Sequence, residues 1–157
     1  MRIVLQRVRE AKVVIDGKDY AAIGTGYVLL LGIRQGDAAG DAIFLADKCS
    51  ALRVFEDGQG KMNLSLNDTG GSVLVVSQFT LYADAQRGNR PSFSLAARAD
   101  VAQPLYDLFV ERMRKALGED RVQTGLFGAM MQVHLVNDGP VTVILESPGA
   151  AGEDSPA

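Results

Sequence analysis

Three short runs rich in β-branched and aliphatic residues, at 1–8, 11–15 and 26–33, occupy most of the first 33 positions. They are too short and too closely spaced to be helices, so the chain must begin by folding strands against one another. Asp16-Gly17, after the second run, is a hairpin signal because both residue types accept the positive φ of a tight two-residue turn. The third run is almost continuously apolar, as expected of a strand buried on both faces. From Asp41 the period changes: Ala42, Leu45, Ala46, Cys49 and Leu52 fall on one helical face, until Asp57-Gly58 and Gly60 break it. Residues 72–79 read as a second buried strand and 83–94 as a long polar loop. Asp100 opens a helix with the stripe Val101, Leu105, Leu108, Phe109, Met113 and Ala116, which Gly118 ends. Two more strands, 131–136 and 141–145, flank Asn137-Asp138-Gly139-Pro140, which reads as a turn because Gly and Pro punctuate and Asn and Asp cap. The prediction is an α+β domain with a largely antiparallel, sheet- or barrel-like core and two helices. Such sheets have edges that a two-fold partner covers, which favours a homodimer.

At 157 residues the chain needs only one domain, assigned to 1–146, and the Gly, Ala, Ser, Pro and acidic residues of 147–157 predict a disordered tail. No apolar run approaches the roughly 20 residues that span a bilayer. Residues 1–8 carry Arg2 and Arg7 between apolar positions, which does not suit a signal peptide. The single cysteine, Cys49, rules out an internal disulfide framework and suits a reducing, cytoplasmic compartment. A net charge of -3 argues against a protein that coats nucleic acid, yet leaves room for one that grips a single RNA end. Arg87, Arg90, Phe93 and Arg98 concentrate positive charge beside an aromatic ring, which suits either phosphate contact or a solvated loop.

The missing residue types narrow the chemistry. With one histidine, His134, and one cysteine, no His/Cys metal site can be built, and neither a Walker loop nor a dinucleotide glycine pattern is present, so no metal and no cofactor is expected. His134 falls mid-strand and reads as a partly exposed sheet residue rather than the base of a serine triad. Ser77-Gln78-Phe79-Thr80-Leu81 places polar side chains at the end of an apolar strand, where they face a ligand or simply terminate the strand.

Taken together, the motifs resemble the D-aminoacyl-tRNA deacylase family from position 1 to about 146. The resemblance rests on Leu5-Gln6-Arg7-Val8, on Gly60-Lys61-Met62-Asn63-Leu64, and on the glycine pair Gly70-Gly71 leading through an apolar strand into Ser77-Gln78-Phe79-Thr80-Leu81. Further along, Arg90-Pro91-Ser92-Phe93-Ser94, Thr124-Gly125 with Phe127, and Asn137-Asp138-Gly139-Pro140-Val141-Thr142 follow in the same order. It implies a cytoplasmic homodimer that hydrolyses the ester joining D-amino acids, and also glycine, to the tRNA 3′ end while sparing L-aminoacyl-tRNA. Each pocket then lies at the dimer interface and holds the terminal adenosine with its aminoacyl ester. Ser77, Gln78, Phe79 and Thr80 line one wall, and Gly139 and Pro140 of the other subunit, joined by a cis bond, reject L side chains. Phe127 and Met131 are pocket contacts, Ala97 stands near the same pocket, and Arg7 holds the Gly-Pro pair. With no histidine base, the expected mechanism uses oxyanion donors around Phe79 and Thr80 and the substrate's own 2′-hydroxyl. Thr80 as a covalent nucleophile, and a noncatalytic RNA-end-binding dimer, are the alternatives.

Overall fold

The computed structural model describes residues 1–150. Its organising element is one long strand, β1 (Arg2–Ile15), which joins the two N-terminal apolar runs instead of breaking at the exposed Arg9 and Glu10. The first half of β1 pairs with β3 (Gly26–Gly32) and the second half with β2 (Lys18–Ile23), both antiparallel. The Asp16-Gly17 turn links β1 to β2 as predicted, with φ of 50° and 75°. Along its other side β1 pairs antiparallel with β8 (Gln132–Glu146).

From β3 the chain crosses through α1 (Ala39–Ala51), the short ribbon β4 (Phe55–Glu56) and β5 (Met62–Leu64), and α2 (Leu66–Thr69) to β6 (Ser72–Ser77). A 3-10 turn, Phe79–Tyr82, follows, and α3 (Ala99–Leu117) then returns the chain to β7 (Val122–Thr124). These crossovers make β3–β6 and β6–β7 parallel. The sheet is therefore mixed: among the described residues three of its five strand pairings are antiparallel and two are parallel. Order β2-β1-β3-β6-β7 with β8 on β1 gives a nearly closed, barrel-like sheet.

Burial accounts for the apolar runs. Leu29, Leu31, Val73 and Val75 face one cluster together with Phe109 and Met113 of α3 and Leu45 and Cys49 of α1. Val28, Leu74 and Val76 face a second cluster with Val8, Val13 and Ile23 inside the curled sheet. Strands covered on both faces have no polar side to show. Cys49 is fully buried and its thiol is pushed up to about 12 by burial, consistent with a core residue and not a nucleophile.

Several expectations need correction. Three α-helices form rather than two, because Ser65 caps the single turn of α2, a unit too short to show a helical period. The helix expected from Asp41 begins at Ala39, and the one expected from Asp100 at Ala99. The segments 131–136 and 141–145 are not two strands joined by a reversing turn: from Gln132 on, both belong to β8, and residues 132–136 and 142–145 pair with the same strand, β1. Between the pairs Gln6↔Thr142 and Val8↔Asn137, β1 advances two residues and β8 five, so Asp138, Gly139, Pro140 and Val141 bulge out opposite Arg7. Ser147, the first residue of the expected tail, packs against the N-terminus: it is 1% exposed, its hydroxyl is 2.6 Å from the Met1 amine and its N–H donates to the Met1 carbonyl. A 3-10 turn, Pro148–Ala150, follows it. The rest of the expected tail, 151–157, lies outside the described residues.

Candidate active site

Parallel strands bring successive loops to one end of a sheet, and here the C-terminal ends of β3 and β6 open onto a cavity of about 450 Å³. Leu31 and Ile33 from the end of β3 and Val76 from β6 line its apolar interior. The chain then leaves β6 through Ser77 and Gln78 into the 3-10 turn. The Gln78 N–H is held by the Leu31 carbonyl at 2.8 Å. As the first N–H groups of that turn, those of Phe79 and Thr80 have no acceptor within it. Gln78 donates its side-chain amide to the Thr80 hydroxyl. That contact supplies Thr80 with a donor, not a base.

Seven residues named from the sequence meet in this cavity: Ser77, Gln78, Phe79, Thr80, Ala97, Phe127 and Met131. Ala97 is held by its N–H to the Ile33 carbonyl at 2.9 Å. Phe127 stands 5.5 Å, centroid to centroid, from Tyr106, whose buried hydroxyl donates to the Val75 carbonyl and so fixes α3 over β6. Phe79 is 56% exposed at the mouth and meets the edge of Phe93 at 5.1 Å. The loop carrying Arg87 and Arg90 is closed at its base by two backbone bonds between Asp84 and Ser92, each 2.8 Å, which leaves both arginines exposed. Among the described residues, none that lines the cavity carries an ionisable side chain. His134 is exposed on β8, in a separate groove with Lys12 and Glu10.

Gly139, Pro140 and Arg7 do not join the cavity of their own chain. Gly139 and Pro140 are exposed, with a cis bond between them, on the bulge of β8. Arg7, only 6% exposed, donates from Nε to the Asp138 carbonyl at 3.0 Å and from Nη1 to the Val54 carbonyl at 2.7 Å. Arg9 holds the Asp138 carboxylate at 2.9 Å. Asn137 spans the bulge by accepting from the Val141 N–H at 3.1 Å and donating to its carbonyl at 3.3 Å. The side chains of Asn137 and Arg7 thus satisfy backbone groups that the strand ladder leaves free.

The D-Tyr-tRNA(Tyr) deacylase family model matches residues 4–146, which is almost the whole of the described chain. The chain belongs to this family. It is 56% identical over 148 residues to a D-aminoacyl-tRNA deacylase of Chlorobaculum parvum, covering 94% of this chain and 99% of that one. A D-aminoacyl-tRNA deacylase of Thermomicrobium roseum is 58% identical over 147 residues, 94% of each chain. Among solved structures, one named c-Myc DNA Unwinding Element Binding Protein superposes with a TM-score of 0.89 at 44% identity, covering 94% of this chain and 99% of that one. The fold also matches a probable eukaryotic D-amino acid tRNA deacylase, with a TM-score of 0.78 at 19% identity over 92% of this chain and 98% of that one.

Sequence reasoning about the cavity missed Ala99 and Ala102, which give its wall from the start of α3, and the Gly128-Ala129-Met130 rim. Alanines carry no chemical signal, and they line the wall only because α3 packs there. Met130 is 92% exposed, a large apolar side chain in a Gly-rich turn, and that mismatch was a usable clue.

Proposed function

We propose that the cavity receives the terminal adenosine and its aminoacyl ester, and that the ester of a D-amino acid or glycine is hydrolysed there with the ribose 2′-hydroxyl orienting or activating water. Deacylation of D-aminoacyl-tRNA as such follows from family membership. The observation that carries the mechanism is the lining without an ionisable side chain. Hydrolysis needs a water made nucleophilic, a stabilised oxyanion and a proton for the departing 3′-oxygen. The backbone N–H groups of Phe79 and Thr80 suit the oxyanion, since nothing within their turn accepts from them. The hydroxyl next to the ester is then the nearest group able to handle a proton. Thr80 as nucleophile is disfavoured because its neighbour Gln78 is an amide, which cannot take its proton.

In this reading Gly139 and Pro140 act in the cavity of a second copy. Val133 is the β8 residue that lines the cavity, and Gly139 lies six residues along the strand, roughly 20 Å at ordinary strand rise. Two-fold pairing of copies supplies the missing wall. The edge of β8 that no described strand pairs, beside Val136 and Ile144 at 47% and 65% exposure, is the kind of surface such a homodimer covers. An L side chain strikes the rigid backbone of the pair, a D side chain points away, and hydrogen fits in either place. The location that goes with this substrate is cytoplasmic; no helix among the described residues is long and apolar enough to cross a membrane.

Incubation with D-Tyr-tRNA, L-Tyr-tRNA and a free D-tyrosine ester tests this reading. Cleavage of the first alone is expected. Binding of the tRNA without hydrolysis would mean an RNA-end-binding dimer, and cleavage of the free ester a general esterase. Arg87 and Arg90 are assigned to tRNA phosphates. Replacing both with Ala is expected to weaken tRNA binding and reduce the slope of log affinity against log salt by roughly 1.5, since two fewer counterions are released. An unchanged slope in filter binding would return the loop to a solvated role.

A further inference from the structure

We infer that Arg2 is a positioning residue for the turn that carries Phe79 and Thr80, an inference that rests on the oxyanion role proposed for that turn. Arg2 lies at the start of β1, opposite Gly32 of β3 on one side and Glu146 of β8 on the other. Side chains in such a row project from the same face of the sheet. Position 32 contributes none, and the turn occupies the space. A Cβ at Gly32 would stand 3.0 Å from the Leu81 Cβ and 3.1 Å from the Gln78 carbonyl oxygen, so the turn rests directly on bare backbone.

The turn is tied at both ends. Its start is held by the Gln78 N–H on the Leu31 carbonyl. Near its end, Arg2 reaches across Gly32 and donates from Nη1 to the Leu81 carbonyl at 2.9 Å, one of the carbonyls that a short helical turn leaves unsatisfied. The Nε of Arg2 is held in turn by the Glu146 carboxylate. Its guanidinium also lies 5.1 Å from the ring centroid of Tyr82. The buried Tyr82 hydroxyl has no hydrogen-bond partner among the described residues, so within them Tyr82 is held by packing and by this cation. Arg2 thus fixes Leu81 and Tyr82 together, immediately after the two residues whose N–H groups would meet the oxyanion. The guanidinium meets the Leu81 carbonyl and Glu146 from two donors fixed in one plane, a geometry that the single rotating ammonium of lysine does not reproduce. Because oxyanion donors act over a narrow range of distance, a small shift of the turn affects the chemical step more than substrate binding.

The test uses the full-length Arg2→Gln and Arg2→Lys proteins with D-Tyr-tRNA, together with amide spectra of the ¹⁵N-labelled proteins. Arg2→Gln is expected to lower kcat by about 10-fold with KM within about twofold of the parent, and Arg2→Lys to give a smaller loss. The amide signals of Phe79 and Thr80 should move in both variants. Parent-like kcat, a KM that rises in step with the loss, or unmoved Phe79 and Thr80 signals would each overturn the inference. Should Arg2→Gln fail to fold, Arg2→Lys gives the same readings. Failure of the parent protein to cleave D-Tyr-tRNA would refute the proposed function instead, while the amide signals, which need no substrate, still judge the clamp.

Discussion

A D-Tyr-tRNA whose terminal ribose lacks the 2′-hydroxyl is expected to be cleaved about 100-fold or more slowly than the normal substrate, whereas Thr80→Ala should stay within about 10-fold of the parent. The difference follows from where a proton can be handled. Among the described residues the cavity lining offers only hydroxyls, an amide, thioethers, hydrocarbon and backbone, and none of these is a base near neutral pH. The 2′-hydroxyl is no stronger a base, but it stands next to the reacting ester, where it can orient water or relay a proton; removing the Thr80 hydroxyl instead deletes a group whose partner is the Gln78 amide and leaves the backbone N–H of that position in place. Single-turnover hydrolysis at saturating protein separates the two, since it reads chemistry without product release. The opposite pattern, with the deoxy substrate cleaved normally and Thr80→Ala inert, would establish Thr80 as the nucleophile.

Gly139→Ala is expected to reduce the ratio of D-Tyr-tRNA to L-Tyr-tRNA cleavage by about 10-fold or more and to destabilise the fold by about 1–3 kcal/mol. Gly139 has φ of +131°, a conformation that L residues avoid. An added Cβ would also lie 2.8 Å from the Val141 Cγ2, 3.1 Å from the Val141 nitrogen and 3.1 Å from the Arg7 Nη2. Of these, the backbone nitrogen cannot easily withdraw, so the bulge must shift and take Pro140 with it. If the pair excludes L side chains by its position, a displaced pair excludes them less well. A folded Gly139→Ala protein with the parental D-to-L ratio would show that chirality is judged elsewhere, and a thermal midpoint equal to the parent's would show that the bulge tolerates the change.

Of the cavity residues, the sequence pattern alone marked only Ser77-Gln78-Phe79-Thr80, a polar segment directly after a strand buried on both faces, and it left ligand contact and strand termination open; Ala97, Phe127 and Met131 carried no local signal and were named from the family resemblance. Local signals also placed the Asp16-Gly17 turn and the two longer helices to within two residues at their starts. They failed at Asn137-Asp138-Gly139-Pro140, where each residue is a good turn former. Turn chemistry states that the backbone leaves its regular path; it does not state whether the path reverses or resumes. That depends on what stands opposite. Here Arg7 satisfies the Asp138 carbonyl and Asn137 satisfies Val141, so β8 returns to the same neighbour, β1, beyond the bulge.

The division between sequence and tertiary structure follows the range of the forces involved. Hydrophobic period, turn residues and the scarcity of histidine and cysteine act within a few positions or across the whole composition, so the sequence alone determined that strands dominate the start, that Cys49 is core, and that the single histidine, His134, falls on a strand. The parallel part of the sheet, the alanine wall from α3 and the support of the 79–82 turn by Arg2 across Gly32 depend on residues far apart in the chain. Only packing decided those, because a glycine's bare backbone or an arginine's free fork acquires its role from whichever segment the fold lays against it.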